Sequence, residues 1–278
     1  MTEQDLHKSA LHDRHVALGA EMGEAAGWEM PLSYGDAEGE AAAVRERGGI
    51  ADVSHFGRVR IRGDAALDLL ERACTADVAR QEDNTTMPTL LLGADGRILD
   101  AARLIRLETF WVLVTSPRRR EPLLAHLRTL ADEFGAKVDD QTLKTSMLLA
   151  AGPDVPGILD AVLPFRASEL AEGAVKLGSM LVARYIAERV GETRPWCARV
   201  QVPNMLAGRA WRFITDKAGE NALPPVGVQA LDALRAEAGV PRFGEDFDET
   251  SDPASAGLGS WIDWGHDFLG REALKPQG

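Results

Sequence analysis

Apolar residues recur with a helical period over residues 10–26, where Leu11, Val16, Leu18 and Met22 stand among polar neighbours before a turn at Ala26-Gly27. A second helix is expected over 36–47, with Asp36 as its N-cap. The period then changes. Val59 and Ile61 alternate with Arg58, Arg60 and Arg62, the pattern of a half-buried strand, and Asp64 is placed to open a helix over 65–74. Strands over 89–92, 97–107 and 110–115, separated by Gly93-Ala94-Asp95-Gly96 and Glu108-Thr109, predict an antiparallel meander. Helix 118–134 carries Leu123, Leu124, Leu127, Leu130 and Phe134 on one side and should pack on that meander.

Beyond it, residues 147–151 read as a buried strand, 156–163 as a helix and 180–184 as a strand. Residues 185–197 mix charges with Gly191 and Pro195, show no period, and are expected to be loop. A strong helix is expected over 226–238. From Pro241 the chain is rich in Gly, Asp and Trp and should be irregular, with a short helix at 270–274. No repeat is evident. Strands with helices on one side predict an α+β fold: a main lobe of residues 1–50 with 140–278, and a ferredoxin-like inserted lobe of 51–139.

With 278 residues and 45% hydrophobic content the chain can bury a large core without covalent staples. Its two cysteines, Cys74 and Cys197, are far apart and suggest neither a disulfide framework nor a zinc site. The start MTEQDLHKSALHDRH lacks the apolar core of a signal peptide, and no apolar run would span a bilayer, so the expectation is a cytoplasmic protein without a membrane partner. A net charge of -12 repels phosphate backbones and argues against a nucleic-acid partner. The basic run at Arg118-Arg119-Arg120 reads as a solvated helix end. Signatures for nucleotide binding, zinc proteolysis and α/β-hydrolase chemistry are absent. His7, His12 and His15 are expected to be solvated, and no metal is expected.

Five ordered strings are more specific: Gly27-Trp28-Glu29-Met30-Pro31, Asp52-Val53-Ser54-His55-Phe56-Gly57, Gly96-Arg97-Ile98-Leu99-Asp100, Gly244-Glu245-Asp246-Phe247-Asp248-Glu249-Thr250 and Phe268-Leu269-Gly270-Arg271-Glu272-Ala273-Leu274. Together with His15-Val16-Ala17-Leu18-Gly19 and Ala256-Gly257-Leu258 they resemble the aminomethyltransferase (T-protein) family of the glycine cleavage system, over about residues 10–275. The resemblance implies a fold that binds tetrahydrofolate and moves a one-carbon unit to it from nitrogen, oxygen or sulfur. It also implies a C-terminal barrel domain, which is not expected in this chain, leaving a side open for a protein partner to cover.

The chain departs from that pattern at the site. Where the family carries two aspartates, the second meeting the folate ring, this sequence has Asp100-Ala101. Alanine holds no proton, and Asp100 should face the other side of its strand unless a bulge intervenes. Ala101, Arg103 and Ile105 should then share the ligand face, although Arg103 could instead reach solvent. The family's Gly-Tyr-Thr-Gly-Glu turn is missing after Ala183-Arg184, and the carboxylate that clamps the pterin aligns near Trp196-Cys197. Leu231 stands where the family has an arginine for the folate tail. Arg235 and Glu237 persist.

The catalytic candidates are Asp100, His55, Ser116 and Asp246; the ligand-binding candidates are Phe56, Ala101, Arg103, Ile105, Arg235 and Glu237. Each also has a plain structural role open to it. Three functions remain: a divergent one-carbon (aminomethyl or methyl) transferase or demethylase using tetrahydrofolate, a folate-independent lyase, transferase or binding protein for a small anionic compound, and a non-catalytic scaffold subunit. Ordinary glycine cleavage activity is not expected with alanine at position 101.

Overall fold

The computed structural model describes residues 5–180, 183–215 and 223–274. Contacts divide the chain into two units. Unit one is Met1–His55 with Leu143–Val240; unit two is Phe56–Thr142 with Pro241–Gly278. The insertion expected over 51–139 is thus found a few residues later, at 56–142. The segment from 241 onward, expected with the main lobe, belongs to unit two, because its aromatic residues pack on that unit's sheet.

Unit one begins with β1 (His7–Lys8), α1 (His12–Ala17), β2 (Glu21–Ala25) and β3 (Trp28–Ser33). The long helix expected over 10–26 is only α1. Gly19, at φ +77°, turns the backbone left-handed after Leu18, and Met22 continues in a strand. Ala26 and Gly27 both have positive φ, so the turn that looked like a helix end closes a β2–β3 hairpin. α2 (Ala37–Glu46) follows, with Asp36 accepting the Glu38 N–H as its cap, and then β4 (Gly49–Asp52).

Unit two runs β5 (Gly57–Arg62), α3 (Ala66–Ala73), β6 (Thr85–Leu92), β7 (Ile98–Leu107), β8 (Phe110–Thr115), α4 (Arg120–Phe134) and β9 (Lys137–Asp140). Its antiparallel sheet has the order β6-β7-β8-β5-β9. This is the split pattern of a ferredoxin-like lobe with β6 added at the edge. Asp64 does not cap α3, whose first turn has no side-chain cap. One face of the sheet packs Leu91, Ala102, Leu104 and Leu113 under α3 and α4. On the other, Leu90, Leu92 and Ile98 meet Phe243, Phe247, Leu258 and Phe268.

The chain then completes unit one with β10 (Thr145–Ala151), α5 (Val155–Val162), β11 (Val175–Met180), β12 (Ala183–Val190), β13 (Cys197–Pro203), α6 (Asn204–Thr215) and α7 (Val228–Ala238). The sheet order is β11-β12-β13-β10-β4. Part of the strand expected over 180–184, residues 181 and 182, lies outside the described residues. The loop expected over 185–197 is confined to 191–196: β12 runs to Val190 and β13 begins at Cys197. Both faces of β12 are buried and one carries Glu188, so the alternation that marks a half-buried strand is lost. Beneath α5 and α6, Leu148, Ala150, Val200 and Val202 join Trp211 in the core of this unit.

Candidate functional site

The site expected on unit two depends on β7, and β7 is bulged. Asp100 pairs with Leu91 but Ile98 with Leu92, which makes Leu99 an extra residue in the strand. Cross-strand partners share a face. Asp100 therefore lies on the side of Leu91, under the helices, whereas Ala101 lies opposite Leu90 and packs with the Phe243–Phe247 cluster. Despite the bulge, Asp100 and Ala101 face opposite ways. Arg103 and Ile105 continue along the Ala101 side by simple alternation; Arg103 is half-buried and Ile105 buried.

Asp100 is fully buried. Its Oδ2 accepts the Ser116 backbone N–H at 2.8 Å, and its Oδ1 has no hydrogen-bond partner among the described residues. Burial pushes its carboxyl up to about 7, against the opposing effects of the Ser116 bonds and the nearby Arg119 charge. The structure thus brings two catalytic candidates, Asp100 and Ser116, together. Arg119 donates to the Leu99 carbonyl at 2.6 Å and stacks over Phe243, 4.3 Å from the ring centre. Arg120 is bound to Asp140. Of the basic run expected to be solvated, only Arg118 is exposed, because the helix start faces both a bulged strand and an aromatic ring.

The other candidates are dispersed. His55 is buried at the end of unit one, after a turn in which Asp52 Oδ1 accepts the Ser54 N–H. The Phe56 carbonyl accepts the buried Arg58 guanidinium. Asp246 accepts the Arg242 N–H, which shapes its own loop. Arg235 donates to the Val240 carbonyl just past the end of α7, and Glu237 is held by Arg45 of α2 at 2.5 Å. These last two bonds give Arg235 and Glu237 structural roles.

Two polar clusters in unit one went unread in the sequence. His15, expected to be solvated, is completely buried: its Nε2 lies 3.1 Å from Asp52 and its Nδ1 2.7 Å from the Tyr34 hydroxyl, with its ring edge-on to Trp211. Ser9 donates to the same Asp52 oxygen at 2.6 Å. Burial raises the Asp52 carboxyl, but the bonds and charge of His15 together with Ser54 and Ser9 outweigh it and hold the group below its usual range. Burial also pushes the Tyr34 hydroxyl up, as does the charge of Asp52.

The second cluster joins β12 to β13. Glu188 lies opposite Arg199 in the ladder and accepts its Nε at 2.9 Å, while Glu192 takes Nη1 at 2.6 Å. Gln201 sits two residues along the same face. Glu188 Oε2, Arg199 Nη2 and Gln201 Nε2 are all buried without a hydrogen-bond partner among the described residues. A row of acceptor and donors left open on adjacent strands matches a flat polar ring edge or an amide. Among the described residues no cluster of His, Cys, Asp and Glu could hold a metal ion, and no helix is long and apolar enough to cross a membrane.

An α+β chain with a ferredoxin-like lobe inserted between strands of a second sheet is the class that fold and site define. Residues 11–266 match the family model described as the GCVT N-terminal domain. The chain is 36% identical over 273 residues to the aminomethyltransferase of Methylococcus capsulatus, covering 96% of this chain and 73% of that protein. It is 32% identical over 277 residues to the aminomethyltransferase of Streptomyces coelicolor, covering 99% and 74%. Among solved structures it resembles the glycine cleavage system aminomethyltransferase T from Bartonella henselae, with a TM-score of 0.88 at 27% identity over 97% of this chain and 74% of that one. The chain belongs to the aminomethyltransferase family.

Proposed function

We propose that the protein transfers a one-carbon unit, aminomethyl or methyl, to tetrahydrofolate. The observation that carries this reading is the match of almost the whole fold to an aminomethyltransferase. When bound, tetrahydrofolate supplies the nitrogen that accepts the carbon. The fit of the residues to its ring rests on the buried polar row across β12 and β13: Glu188 Oε2 suits the ring's N–H donors, and Arg199 Nη2 and Gln201 Nε2 suit its acceptors. Paired with two glutamates, Arg199 is held in one orientation, so little side-chain entropy is lost when a ligand takes its free N–H.

The acid/base position of the resembling family is alanine here, and Asp100 faces the helices. Proton transfer from the Ala101 position is therefore excluded, which argues for a donor other than an aminomethylated lipoyl carrier. Calorimetry with tetrahydrofolate tests the acceptor half. Saturable binding is expected, weakened about tenfold in Gln201→Met with the melting temperature retained; no saturable binding would overturn the reading. In the donor half, the protein given aminomethylated lipoyl carrier and tetrahydrofolate should form no methylenetetrahydrofolate above the uncatalysed rate. Robust turnover there would relocate the proton-handling group.

A further inference from the structure

Unit two carries a second feature that the transfer reading does not use. A surface groove of about 590 Å³ lies beside the edge strand β6, a volume that suits a small organic molecule. Met87 and Pro88 form one wall, and Trp261, Ile262 and Trp264 form another. Trp264 is 47% exposed: it packs one side near Phe268, at 6.1 Å between ring centres, and leaves indole surface available to a ligand.

The polar groups of the groove are two aspartates, Gln81 and Ser260, with Arg80 as the cation among them. Gln81 is 7% exposed, and its Nε2 donates to the carbonyls of Thr85 at 3.2 Å and Leu104 at 2.9 Å. Those two acceptors fix which end of the amide is nitrogen, so the end left over is the acceptor Oε1, buried without a partner among the described residues. Asp263 uses Oδ1 to accept the Gly265 N–H at 2.7 Å, and its second oxygen has no protein partner among the described residues. Asp77 is already neutralised by Arg80 at 3.1 Å, which leaves the Asp263 charge uncompensated in the groove. Two aspartates against the one arginine leave the lining net anionic, with the unpartnered Gln81 Oε1 and the Asp263 carboxylate bordered by two indoles. Donors with positive charge complement both. A peptide strand is a poor occupant: Pro88 removes an N–H from the edge of β6, where strand addition would need it.

We propose that this groove is a binding site for an organic cation, an ammonium group on a compact apolar body. The ammonium sits against Asp263 and the Trp264 face, and the apolar part lies along Pro88 and Ile262. The site is independent of tetrahydrofolate, so its failure and that of the transfer reading are separately visible.

The test is titration of the full chain with benzylammonium, benzyl alcohol and benzoate, followed by calorimetry and by the indole N–H resonances of the tryptophans. The cation should bind at least tenfold more tightly than the alcohol, with benzoate weakest, and should shift an indole resonance that is missing in Trp264→Ala. Asp263→Asn keeps the acceptor for Gly265 while removing the charge, and should bring the cation down to the level of the alcohol. Equal binding of cation and alcohol, a preference for benzoate, or unchanged affinity in folded Asp263→Asn and Trp264→Ala would each overturn the proposal.

Discussion

At the scale of single residues, Asp100 and Ala101 carry opposite lessons. Period-two alternation along β7 was enough to place them on opposite faces, because cross-strand neighbours enforce it even past a bulge. The burial of Asp100 was not legible, since it depends on α4 starting just across the sheet, a contact distant in sequence. That burial has a measurable consequence. With its folded-state value up to about 7 and an unfolded value of about 3.9, Asp100 binds its proton more tightly in the folded chain. Its contribution to stability is therefore full below about pH 4, falls as the pH rises towards 7, and is flat above that. Asp100→Asn keeps an acceptor for the Ser116 N–H and removes the ionisation. Urea unfolding should show the variant gaining on the parent by up to roughly 4 kcal/mol between pH 4 and pH 8. A pH-independent difference would show that the carboxylate ionises in the fold as freely as in water. Arg199 and Glu188 were out of reach of sequence reasoning for a related cause. Charges on a strand suggest loop until their partner, eleven residues away, is seen across the ladder.

Elements were legible where their period was undisturbed. The meander of β6, β7 and β8 and helices α2, α4 and α7 stand close to their expected places, since each alternates or repeats against a single buried side. Helix α1 was overextended because Met22 happens to fall on its apolar stripe, while the stop at Gly19 weighs more than the stripe does. The irregular tail was recognised as such, but not its hold on unit two, where Ile98, Asp263 and Leu269 N–H groups bond across to Ser251, Thr75 and Arg72 carbonyls and close packing adds to them. Gly270 has φ +85°, and a Cβ there would meet the Gly93 carbonyl oxygen at 2.4 Å in the β6–β7 turn. Gly257 has φ +71° with nothing within 4 Å. Gly257→Ala should therefore cost about 1 kcal/mol, the strain of a left-handed backbone alone. Gly270→Ala should cost at least 2 kcal/mol more, because backbone must move. Equal melting temperatures for the two variants would show that the tail yields without loss.

On the scale of the whole molecule, the strings that point to the aminomethyltransferase family sit in both units, which is why the fold could be anticipated before the order of strands was known. Where the units divide was less legible, as hydrophobic pattern alone does not say which sheet a segment will cover. The residues from Phe243 to Phe268 cover Leu90, Leu92 and Ile98, so unit two without them exposes the apolar patch on β6 and the start of β7. Residues 56–142 expressed alone should bind the dye ANS and unfold without a sharp transition, whereas the same residues joined directly to 241–274 should melt cooperatively. Cooperative melting of 56–142 alone would show that the aromatic cover adds little. The arrangement also sets a clock. During synthesis, about 100 residues of unit one separate the two parts of unit two, and at ribosomal rates that interval lasts on the order of 5–20 seconds. For that time the ferredoxin-like sheet waits with an oily patch on β6 and β7 bare, which makes slow translation a hazard for this chain.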